Sequence, residues 1–126
     1  MDSNIPDLHD FFDSTPVSER IVRTNDLDLA FNGWLVASAD ITDYTRTRWT
    51  KVSLWMTTKR AYVAQITQGG TTLPTVSRAA ARHSFEEIVE WMREDNRGQL
   101  GGASKKVIAV ACDRLPWLEG EDVEQV

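Results

Sequence analysis

Arg48-Trp49-Thr50-Lys51-Val52-Ser53-Leu54-Trp55-Met56-Thr57 is the stretch whose reading decides the fold. In an extended chain Val52, Leu54 and Met56 point one way, and Trp49, Lys51, Ser53 and Trp55 point the other. A period of two over β-branched and aromatic residues marks a strand. Upstream, Leu29–Ala39 alternates in the same way, with Leu29, Phe31, Gly33 and Leu35 set against Ala30, Asn32, Trp34 and Val36. Downstream, Thr58–Arg60 reads as a tight turn and Ala61–Gln68 as a third strand carrying Tyr62, Ala64 and Ile66 on one face. Short connections make these strands antiparallel neighbours. Gly69-Gly70 ends the third strand, and Pro74 is expected to keep the next stretch irregular.

Two helices are predicted after the strands. Ser84-Phe85-Glu86-Glu87 is a capping box, in which the serine hydroxyl takes an orphan backbone N–H and the glutamate reaches back. Phe85, Ile88, Val89 and Met92 then form an apolar stripe at i, i+3, i+4, i+7. Gly98 and Gly101-Gly102 separate this helix from a second, which runs to about Leu115 before Pro116 and buries Val107, Val110, Ala111 and Leu115. A three-stranded meander cannot bury a face alone. The expected class is therefore α+β: a three-stranded antiparallel β-meander covered on its Leu35/Leu54/Ile66 face by two C-terminal helices, in the order β-β-β-α-α. The expected division is an acidic, poorly ordered arm over 1–28 with a helical turn at Leu8–Phe12, one domain over 29–116, and an acidic tail over 117–126.

The 126 residues carry a formal net charge of −5, and that figure hides a segregation. Residues 1–28 hold seven acids and two bases, and residues 115–126 hold four acids and no base. The span 29–114 holds twelve bases and eight acids, and none of the 42 residues from Tyr44 to Phe85 is Asp or Glu. Such asymmetry points either to a polyanionic partner or to acidic ends folding back on a basic middle. No run of about 18 apolar residues is present to cross a membrane. Cys112 is the only cysteine, which excludes a disulfide scaffold. The opening segment is acidic and broken by Pro6, unlike a secretory signal, so a cytoplasmic protein is expected.

Catalytic arrangements find no foothold. His9 and His83 are the only histidines, and neither has a partner nearby in sequence. Cys112 sits beside Val110 and Ala111 as a small buried thiol would. No metal or nucleotide motif occurs, and no cofactor is implied. The reading is of a protein that is not an enzyme; a small enzyme would need a concave polar site around His83 or Cys112. The sheet face left without helices is expected to show Trp34, Trp49, Lys51 and Trp55, with Arg48 and Arg60 beside them. Tryptophans with cations form a platform for nucleic-acid bases or for a protein partner. The bland alternatives are that Leu8, Phe11 and Phe12 of the arm cover the tryptophans, or that a homodimer does.

Phe31-Asn32-Gly33-Trp34-Leu35, Arg48-Trp49-Thr50 leading into Leu54-Trp55-Met56-Thr57, and Tyr62-Val63 together resemble the EXLDI family of small actinobacterial proteins. The likeness runs from about Phe31 to Val123. Glu119-Gly120-Glu121-Asp122-Val123 falls where the name-giving motif would, with Glu121 and Val123 in place of its leucine and isoleucine. The resemblance implies an actinobacterial host, phage or plasmid, and no activity. The favoured function is recognition of a protein or nucleoprotein partner, in the manner of a phage- or plasmid-borne anti-CRISPR-like inhibitor. Asp7, Asp10 and Asp13, or Glu119, Glu121 and Asp122, would then occupy a basic channel. The other reading is direct nucleic-acid binding by the basic, Trp-bearing face.

Overall fold

The computed structural model describes residues 15–118. The turn expected at Leu8–Phe12 lies outside them. Five strands come first: β1 (Val17–Ile21), β2 (Leu29–Thr42), β3 (Arg48–Thr57), β4 (Tyr62–Gly70) and β5 (Val76–Arg82). Two helices follow, α1 (Phe85–Asp95) and α2 (Gly102–Arg114). The strands form one antiparallel sheet in the order β1-β2-β3-β4-β5. The α+β class and the two helices stand, but the sheet has five strands where three were expected. Both extra strands hide in weak sequence. β1 has apolar residues only at its ends, Val17 and Ile21, inside a segment read as an acidic arm. β5 follows Pro74 and is built largely of alanines, which have low β-propensity. Ala80 lies in the main core and Ala79 in a second one, so β5 is held by packing on both faces.

The helices cover one face. Phe85, Ile88, Val89 and Met92 of α1 and Ala103, Val107 and Ala111 of α2 pack with Leu54, Met56, Tyr62, Ala64 and Ile66. Ser84 caps α1 as its spacing predicts: its hydroxyl accepts the Glu87 N–H at 3.1 Å and lies 3.2 Å from the Glu87 carboxylate. On α2, Val110 is not buried but 49 % exposed. Its position three residues past Val107 carries it onto the helix flank.

The phase of β2 differs from expectation. Leu35 pairs with Trp55 and Ala37 with Leu54, so Val36 is an extra residue, a β-bulge. Trp34 therefore stands opposite Met56 beneath the helices and is 4 % exposed, while Leu35 faces the other way. Reading Leu35 as the partner of Leu54 put β2 on the wrong face, because alternation alone carries no register.

The second face is not an open platform. At Gly33 β2 runs so close to the end of β3 that a β-carbon would strike the Met56 carbonyl oxygen. The hairpin of β1 with Leu29–Gly33 folds back over the sheet. Ile21 packs with Trp55, Val63 and Ala79, and Leu29 and Phe31 close over them. The Phe31 and Trp55 rings meet edge to face at 5.7 Å. The tip of the hairpin is fastened to β5. Thr24 N–H donates to the Ser77 carbonyl at 2.8 Å, Thr24 Oγ1 accepts the Ser77 N–H at 2.9 Å, and Arg23 donates to the Ala79 carbonyl at 3.3 Å. No helix among the described residues is long and apolar enough to cross a membrane.

Candidate functional site

The β2–β3 turn shows how this chain presents cations. Asp43 turns its carboxylate inward and accepts the N–H groups of Thr47 at 2.8 Å and Arg48 at 3.1 Å, with the hydroxyls of Thr45 and Thr47 at 3.2 Å. The Arg48 N–H is the largest cause holding that carboxyl below its ordinary value, followed by an opposing cost of desolvation and then by the other donors. The turn, with Arg46 in the left-handed region at φ 61°, leaves Tyr44 fully exposed and Arg46 and Arg48 in solvent. Lys51 follows on β3, opposite Asp40.

Further cations lie on the segment of the helix layer that approaches the end of β2. Gly102 opens α2 so close to Ile41 that a β-carbon there would lie 2.7 Å from the isoleucine tip. Asn96 and Gly101–Ser104 border a cavity with Ile41 and Thr50 there; Arg97 follows Asn96 in the loop, and Lys105 and Lys106 follow Ser104 in the first turns of α2. Arg46, Arg48, Lys51, Arg97, Lys105 and Lys106 form no ion pair among the described residues. Arg78, by contrast, is tied to Asp95 at 2.5 and 2.9 Å and to Gln68 at 2.6 Å, and its hydrogen bond to Asp95 is the main reason its pKa is raised. Between the loops lies a groove of about 310 Å³ bordered by Arg48, Trp49, Gly69, Leu73, Pro74 and Arg78. The Trp49 ring lies against Gly69, where a β-carbon would come within 2.7 Å of it.

The residues singled out from sequence therefore separate. Arg48, Trp49 and Lys51 lie together along the start of β3, with Trp49 and Lys51 on one face and Arg48 on the other. Arg60 lies in the β3–β4 turn, a strand length of roughly 30 Å away by the usual rise per residue. Trp34 belongs to the helix-covered core and Trp55 to the second core, so neither supplies a surface ring. Asp7, Asp10, Asp13, Glu119, Glu121 and Asp122 lie outside the described residues. Arg97, Lys105 and Lys106 were not among the residues expected at the site, and they stand some fifty residues along the chain from the β2–β3 turn. The Gly101-Gly102 pair, read only as a separator, was the signal of close approach. His83 lies just past β5, in a groove with Lys59, and Cys112 packs from α2 against the main core. No cluster of three or more His, Cys, Asp or Glu able to hold a metal occurs among the described residues. Comparison with family models, curated proteins and solved structures finds no match.

Proposed function

We propose that this is a non-catalytic binding protein that recognises an anionic surface of a protein or nucleoprotein partner through the cation-bearing end of its sheet. One observation carries this reading: six cations without ion pairs among the described residues lie in the β2–β3 turn, on the start of β3, and on the loop and first turns of α2, whose opening at Gly102 approaches Ile41, and Tyr44 is fully exposed in that turn. Arg and Tyr are side chains that dominate interface energies. A phage- or plasmid-borne inhibitor of a host defence complex is one form such a binding protein takes, and EXLDI membership is proposed on the motifs between Phe31 and Val63. The test is capture of partners by the full chain and by the triple variant Arg46→Glu, Arg48→Glu, Lys51→Glu. The expected result is a partner that binds the parent and is lost from the variant at unchanged circular dichroism. Equal capture by both overturns the reading.

Direct binding of nucleic acid is the second reading, favoured by the groove that sets Arg48 beside the ring of Trp49. A base could stack on that ring while the arginine meets a phosphate. With Trp34 and Trp55 buried, one stacking residue is left of three. Titration with single- and double-stranded DNA and RNA at two salt concentrations separates the readings. A steep salt slope that falls by about one for each phosphate contact removed supports nucleic acid. No retention at low salt excludes it.

A further inference from the structure

We propose that the outer edge of β2, Ala37–Thr42, pairs with the same edge of a second copy of this chain, joining two five-stranded sheets into one. β1 pairs only with Leu29–Gly33, so among the described residues the second part of β2 has a strand neighbour on one side only, β3. The opposite edge of the sheet, β5, is partly closed by Thr24. Arg114 reaches from α2 to the carbonyls of Leu35 and Val36 at 3.0 and 3.1 Å and so covers the start of the open stretch. Beyond it, Ala37-Ser38-Ala39-Asp40-Ile41-Thr42 has no proline, no lysine and no further bulge. Those devices normally stop an edge from pairing, and Asp40 is the one charged side chain the stretch carries. The edge also has exposed apolar neighbours on both sides. Val110, one turn before Arg114 on α2, is 49 % exposed, and Leu35 on the other face is 46 % exposed.

The side chains select a second copy and a register. Residues directly opposite in an antiparallel pair share a face, so a two-fold axis must pass through a residue. An axis at Asp40 would set two carboxylates face to face, and one at Ser38 would set the charged Asp40 against apolar Val36, where an axis at Ala39 sets Thr42. An axis at Ala39 places Asp40 opposite the Ser38 hydroxyl and Ile41 opposite Ala37, both favourable cross-strand neighbours. The same axis brings the Val110 flanks of the two α2 helices to one side of the joined sheet.

The experiment is sedimentation of the full chain from about 1 µM to about 1 mM, with hydrogen exchange followed at both ends of that range. A dimer is expected, with the amides of residues 37–42 exchanging more slowly at high concentration. Val110→Asp, a surface change on α2, is expected to weaken the dimer roughly tenfold or more at unchanged circular dichroism. In a Cys112→Ser background, Ala39→Cys is expected to oxidise to a covalent dimer and Lys59→Cys to stay monomeric. Sedimentation as a monomer throughout overturns the proposal. So does a dimer in which residues 37–42 exchange at an unchanged rate, because the interface then lies elsewhere. Protection of residues 37–42 that appears only on adding a different protein also overturns it, since the edge then serves another partner's strand.

Discussion

A methyl group at Gly33 would meet the carbonyl oxygen of Met56 and the α-carbon of Thr57. Backbone cannot step aside as a flexible side chain can, so the close pairing of β2 with the end of β3 depends on this residue. Gly33→Ala is expected to cost about 2 kcal/mol or more, read as a lower urea midpoint. Asp43 acts through charge. Its carboxyl is held below the ordinary value of 3.8, chiefly by the Arg48 N–H. A depressed folded-state pKa means its contribution is complete above 3.8 and is lost as pH falls through the lower, folded-state value. Asp43→Asn is therefore expected to loosen the turn at neutral pH, seen as shifted amide signals of Thr47 and Arg48. The difference from the parent should vanish in acid below that range.

Elements differ in how openly their sequences speak. α1 is legible because a capping serine and a stripe of four apolar residues mark its start and buried face. Ser84→Ala is expected to lower stability by about 1 kcal/mol in denaturant unfolding. β3 and β4 are legible because their apolar residues alternate, Val52, Leu54 and Met56 in one and Tyr62, Ala64 and Ile66 in the other. β1 and β5 are not, since each draws its stability from what it touches rather than from its own composition. The bulge at Val36 is silent for a related reason: a strand with apolar residues on both faces, such as Trp34-Leu35-Val36, gives alternation nothing to choose between. The fastening of the hairpin tip to β5 joins residues 53 positions apart, beyond any local pattern. Thr24→Val removes the acceptor for the Ser77 amide, whose hydrogen exchange should quicken on the order of tenfold.

Across the whole molecule the charge is divided by region. All fourteen Lys and Arg lie within the described residues with eleven acids, a balance of +3, and the remaining eight acids of the nineteen lie at the two ends, giving −8 there and −5 in all. That division was visible in the sequence. The approach of the start of α2, with its lysines close behind, to the end of β2 was not, because it depends on α2 docking beside Ile41. The tail boundary also reads differently in three dimensions. Leu118 is fully buried in the main core, so the folded unit continues past the helix stop at Pro116. Leu118→Ala is expected to cost about 2–5 kcal/mol, as core leucine truncations do, and thermal unfolding would show it as a lower midpoint.

The clasp between Thr24 and Ser77 also bears on the order of events in folding. The meander from β2 to β5 forms by pairing neighbours in sequence, each closing a short loop. The clasp must bring together two points with nearly the whole meander between them, and it has no partner until β5 is in place. Docking of the β1 hairpin is thus expected to be a late step, and its release the earliest opening on the way out. Water would reach Trp55 from that side before the helix-covered core is disturbed.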